Sequence, residues 1–155
     1  RVDHRGVVGV ALEQLDAPVR PAGQVTGRGP AYLLRDLGQE ALLEARFRLR
    51  DCSVLVAEEA VRAASLTYPA GSWILPPQPG LGDALEGMAT HLALDVESVP
   101  SVPEVPHHEA PLPRLGVWVP WADTDSIGWL RYALDQRGVP YTYLRDEDIR
   151  AGGLR

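Results

Sequence analysis

The chain has 155 residues, 45% hydrophobic and 23% charged, which is the size and balance of one globular domain or two small ones. A formal net charge of −6 sets an overall field that repels nucleic acid and anionic membrane surfaces. No apolar run approaches the roughly 18–20 residues that a membrane-spanning helix needs, and the one cysteine, Cys52, excludes an internal disulfide.

All fifteen basic residues are arginine, and lysine and asparagine are absent, a pattern of codon usage in a GC-rich genome rather than of a mixed basic patch. The chain runs from Arg1, with no methionine start, straight through its last turn signal into Arg155, so both ends are expected to be cut. Near the N-terminus the apolar run Val7-Val8-Gly9-Val10-Ala11-Leu12 fits a helix start or a buried strand equally well. Pro18, Pro21, Gly23, Gly27, Gly29 and Pro30 then predict a loop.

Residues 31–34 predict a strand. Asp36, with Gln39 three residues on, predicts a helix start. Along that helix Leu42, Ala45, Phe47 and Leu49 are expected inside, and Glu40, Glu44, Arg46, Arg48 and Arg50 outside. Residues 52–57 predict the next strand, with Cys52 as a buried thiol at its edge. Strand, helix and strand in about thirty residues form a βαβ unit, so the expected class is α/β with a mostly parallel sheet. A hairpin-like insertion is expected near 66–75, where Pro69-Ala70-Gly71 separates Leu66-Thr67-Tyr68 from Ser72-Trp73-Ile74-Leu75. Residues 82–94 predict a helix with Leu85, Met88, Ala89 and Leu92 on one face.

Five prolines lie within residues 98–114, which predicts an extended linker between a domain at 1–97 and a second unit at 115–155. The second unit reads as strand 115–119, a helix through Ile127, Leu130, Ala133 and Leu134 that Gly138 ends, strand 141–144 and a helical turn at 146–150. A two-stranded parallel piece cannot cover its own sheet, so further strands are expected after Arg155. Val117, Val119 and Leu144 are expected to lie open.

Motifs that carry chemistry are few. His4, His91, His107 and His108 stand in no His-x-x-Glu or His-Glu-x-x-His spacing. His107, His108 and Glu109 cluster, but within the expected linker. Gly-x-Ser-x-Gly, Gly-x-Gly-x-x-Gly and Walker patterns are absent. Asp123 and Asp125 follow a strand at a sheet edge where open α/β folds bind ligands, and helix capping explains them equally. The most individual feature is the aromatic set Trp118, Trp121, Trp129, Tyr132, Tyr141 and Tyr143. It fits core packing, a stacking wall for a sugar or peptide, or a protein interface. Trp118, Trp121, Asp123 and Asp125 are the candidate ligand-binding residues. No catalytic residue and no metal ligand is assigned.

Four blocks in order, Arg114 to Trp121, Ser126 to Leu134, Gly138 to Tyr141 and Asp146 to Gly152, resemble the start of a glutamine-amidotransferase-like domain in large bacterial zinc-carboxypeptidase-like proteins. Tyr68 to Pro76 resembles a segment upstream of it in the same proteins. The resemblance implies a truncated flavodoxin/amidotransferase-like second unit. It also implies a non-catalytic accessory region, a peptidase domain before Arg1 as partner, and a secreted or periplasmic parent. That domain would hold zinc through two histidines and a glutamate, none of which maps onto this chain. The alternative is a stand-alone module that binds a ligand or partner, a peptide or glycan, at the Trp-rich edge.

Overall fold

The computed structural model describes residues 19, 21–63, 66–119 and 124–152. The apolar run at 7–12 lies outside them. Ten strands and four helices follow in order among the described residues. They are β1 (Val25–Gly27), β2 (Ala31–Leu34), α1 (Ala41–Arg48), β3 (Leu55–Ala57), β4 (Val61–Ala63), β5 (Leu66–Tyr68) and β6 (Trp73–Leu75). Then come α2 (Leu81–Leu92), β7 (Val96–Val99), β8 (His107–Glu109), β9 (Leu115–Trp118), α3 (Thr124–Gln136), β10 (Tyr141–Leu144) and α4 (Asp146–Arg150).

Six strands form the principal sheet in the order β1-β7-β2-β6-β3-β8. The protein is mixed α/β, but the expectation of a mostly parallel sheet is corrected. Only β1 and β7 run parallel in it, and β2–β7, β2–β6, β3–β6 and β3–β8 are antiparallel. The predicted β2-α1-β3 unit is present, yet β6 is inserted between its two strands. With α2 and β7, and with the separate β4–β5 ribbon inserted after β3, the path through this sheet is β-α-β-β-α-β, the split βαβ connectivity of ferredoxin-like sheets. Sequence pattern shows a βαβ unit but not which later strand will divide it.

Alternation along the strands decides the two faces. Tyr32, Leu34, Trp73, Leu75 and Val96 face α1 and α2, meeting Leu42, Ala45 and Leu49 of the α1 region and Leu81, Leu85, Met88 and Ala89 of α2. Ala31, Leu33, Ala57, Ile74 and Val99 face the other way, against Val61 and Tyr68 and the partly buried Ala63, Val102 and Val105. Burying each of Leu33, Leu34, Ile74 and Leu75 contributes roughly 1.5–3 kcal/mol.

The hairpin is displaced from its expected place. β5 pairs antiparallel with β4, not with β6, which lies between β2 and β3. All three β6 residues are buried, whereas Leu66 and Thr67 of β5 are exposed, so β6 has the composition of an interior strand. The helix start is displaced as well. Asp36 accepts from the backbone of Gly38 at 2.8 Å and Gln39 from that of Leu37 at 2.7 Å, so both close a turn ahead of a helix that begins at Ala41.

The Pro-rich segment 98–114 is extended but tied to the sheet. β7 runs on to Val99, Val102 and Val105 pack on the lower face, and β8 pairs with β3 at the edge. Arg46, expected outside, is 9% exposed and holds this segment: its guanidinium donates to the Ala110 carbonyl at 2.6 and 3.1 Å and to Leu49 at 2.9 Å. Desolvation of that guanidinium lowers its pKa. Glu44 is also buried and pairs with Arg48 at 2.7 Å, in the predicted i,i+4 order.

In the second unit β9 and β10 pair in parallel around the α3 crossover, as the sequence predicts. Val117, expected open, is buried against Phe47 of α1 with Leu134 and Val139, while Val119 and Leu144 are partly buried. Arg137 adds an exposed ion pair to Glu40 at 2.9 Å.

Candidate functional site

The four ligand-binding candidates do not form one site among the described residues. Trp121 and Asp123 lie outside those residues. Trp118 stands at the end of β9 on the side away from Val117, about half exposed, and its indole N–H donates to Asp146 of α4 at 2.8 Å. Asp125 lies in the first turn of α3 and borders a shallow depression with Gly128, Trp129 and Tyr132. Trp129 is 73% exposed and meets Tyr132 edge-on, with ring centroids 6.0 Å apart. Tyr141 and Tyr143 are both engaged by Arg131, through a 3.1 Å hydrogen bond to the Tyr141 hydroxyl and by stacking of the guanidinium over the Tyr143 ring at 5.3 Å. The described members of the aromatic set therefore divide among β9 (Trp118), α3 (Trp129 and Tyr132) and β10 (Tyr141 and Tyr143).

His107, His108 and Glu109 stand on the exposed edge strand β8. His108 reaches Glu58 at 3.2 Å, and the His107 ring meets the Val105 carbonyl at 2.8 Å. Among the described residues no three His, Cys, Asp or Glu side chains are placed to hold a metal ion. Cys52 is partly buried in the turn ahead of β3. Among the described residues no helix is long and apolar enough to cross a membrane.

A better-formed concavity, of about 390 Å³, opens at the end of the principal sheet where β2 stops and β7 begins. Its polar groups come from elements distant in sequence: Arg35 just after β2, Tyr68 at the end of β5, and Asp95 and Glu97 at the start of β7. Leu37, Leu66 and Leu92 supply apolar wall, the first two largely exposed. Tyr68 is 3% exposed, and its hydroxyl donates to Glu97 at 2.5 Å. Burial first, and then this hydrogen bond, push the Tyr68 pKa well above its ordinary value, so the phenol stays a donor. The Arg35 Nε–H is buried and has no acceptor among the described residues. A buried donor left so costs about 1–3 kcal/mol.

Sequence reading missed this groove. Asp95 and Arg35 look like ordinary ends of elements. The one local signal is Glu97, a carboxylate inside the otherwise strand-like Val96-Glu97-Ser98-Val99 run, where such a residue is depleted unless it has a partner. Its partner, Tyr68, is 29 residues away.

No protein-family model matches the chain, and no curated protein or solved structure matches it either.

Proposed function

We propose that residues 1–155 form a non-catalytic accessory region of a zinc-carboxypeptidase-like protein, with the peptidase domain of the same polypeptide as its partner. One observation carries this reading. The four blocks from Arg114 onward that resemble such proteins fall in order on a single structural unit: Arg114 to Trp121 contains β9, Ser126 to Leu134 lies in α3, Gly138 to Tyr141 is the turn into β10, and Asp146 to Gly152 contains α4. Parallel pairing of β9 with β10 around α3 is also how a flavodoxin/amidotransferase-like unit opens. In this reading the peptidase domain would hold zinc, which would supply an activated water for hydrolysis of a C-terminal peptide bond, and no residue of this chain would ligate it. The parent is secreted or periplasmic.

The test is the coding sequence ahead of Arg1. An in-frame His-x-x-Glu followed by a distant histidine is expected, and an unrelated domain there sinks the proposal.

A second reading, a stand-alone module that binds peptide or glycan at its Trp-rich edge, is favoured by the exposure of Trp118 and Trp129. A binding screen decides it. A ligand lost on Trp129→Ala or Trp118→Ala supports this reading, and no ligand at all counts against it.

A further inference from the structure

The groove between the ends of β2 and β7 has two features that structural packing alone leaves without purpose. The first is Arg35, which lines the groove and whose buried Nε–H has no acceptor among the described residues. The second is a pair of carboxylates on the same wall, each with bonding capacity left over. Glu97 receives the Tyr68 hydroxyl on one oxygen, and Asp95 receives the Gln24 backbone N–H at 3.3 Å on one oxygen. Neither carboxylate is paired with Arg35. One cationic and two anionic groups thus share a small concavity without neutralising one another, and leucine side chains stand beside them.

From these groups we infer that the groove binds a small zwitterion of the α-amino-acid type, with an apolar side chain. Its carboxylate accepts from Arg35, its ammonium donates to Glu97 and Asp95, and its side chain lies along Leu37, Leu66 and Leu92. About 390 Å³ is at the small end of the range for small-molecule sites, which suits one or two residues and not a polymer. A phosphate ester fits poorly, because Asp95 and Glu97 repel a dianion. A bare metal cation fits poorly too, because Arg35 opposes it. Tyr68, kept protonated, fixes the Glu97 carboxylate and leaves its second oxygen for the ligand. This inference is independent of the proposed zinc-peptidase parentage, and its failure would leave that proposal standing.

Three probes separate the ends of the ligand: L-leucine, N-acetyl-L-leucine without the ammonium, and L-leucinamide without the carboxylate. Backbone amide shifts of the 1–155 chain are followed during titration with each. L-leucine is expected to shift amides around Arg35, Tyr68, Asp95 and Glu97, and each one-ended probe to bind at least about tenfold more weakly. Arg35→Gln is expected to weaken leucine tenfold while leaving leucinamide unchanged, and Asp95→Asn to weaken leucine while leaving N-acetyl-leucine unchanged. Leucine shifts absent from the groove overturn the inference. Equal binding of N-acetyl-leucine, which marks a plain anion site, or of leucinamide, which marks a cation site, overturns it as well. The probe comparison is made on the unaltered protein, so it stands even if a variant fails to fold.

Discussion

Tyr68 and Glu97 show what one hydrogen bond does in a partly dry place. The hydroxyl is held to the carboxylate at 2.5 Å, and burial and the bond together raise the phenol pKa. A group whose folded pKa lies above its unfolded value stabilises the fold fully below the unfolded pKa. That contribution is lost as pH rises through the folded pKa. The wild type is therefore expected to lose stability steadily above about pH 10, the ordinary tyrosine value. Tyr68→Phe removes this alkaline limb and, by leaving Glu97 without its donor, costs about 1–2 kcal/mol near neutral pH. Urea melts of both proteins between about pH 7 and 11 check it, and parallel alkaline limbs would contradict the assignment.

Elements end and pair for reasons that differ in how far they can be seen from the chain. Helix α2 ends on Ala93, the one described non-glycine residue with positive φ, at 53°. That conformation costs a residue bearing Cβ roughly 1–2 kcal/mol. Ala93→Gly is expected to raise the melting temperature by about 2–4 °C, and a fall would mean that the alanine methyl matters more than its backbone. Gly27, at φ 82°, has the opposite constraint: an added Cβ would lie 2.3 Å from the Ser98 carbonyl oxygen.

Strand β6 gives a second test at this scale. Trp73→Ala, in an interior strand, is expected to cost about 3–5 kcal/mol. Trp129→Ala, on an open helix face, is expected to stay within about 0.5 kcal/mol. Thermal melts that rank the two the other way would contradict the placement of β6.

What the sequence made legible was local. β2, α2 and the β9-α3-β10 unit have periodicity and stop signals within their own spans. β6 reads as a strand but its partners do not, and β8 does not read as a strand at all, because a strand's neighbours are not written in its own residues. Pro69-Ala70-Gly71 does bend the chain, but the strands it separates join different sheets. Prolines around β8 argued for a linker, yet they leave His107–Glu109 free to pair as an edge strand, and the buried Arg46 that secures the segment to α1 looked like a solvated charge. The candidate groove was invisible for the same reason: Arg35, Tyr68 and Glu97 meet only after β7 has paired with β2.

At the scale of the whole molecule, two units of unequal support meet at Phe47 and at the Arg137–Glu40 ion pair. The principal sheet is covered on both faces. The β9–β10 pair has α3 on one face, while Trp118 on the other face remains about half exposed. Two strands are marginal alone. Amides of β9 and β10 are expected to exchange at least about tenfold faster than those of β2 and β6. Phe47 joins α1 to Val117, Leu134 and Val139, so Phe47→Ala should widen that difference and cost about 3–5 kcal/mol. Equal protection in both units would show that the second is better supported than its contacts suggest.

The central proposal is that this region does no peptide-bond chemistry itself and belongs beside a zinc peptidase domain. The direct measurement is release of C-terminal residues from a peptide, assayed with the isolated 1–155 chain and with the full polypeptide that contains it. No release by the isolated chain and chelator-sensitive release by the full polypeptide are expected. Release by the isolated chain, or none by the full polypeptide when supplied with zinc, would contradict it.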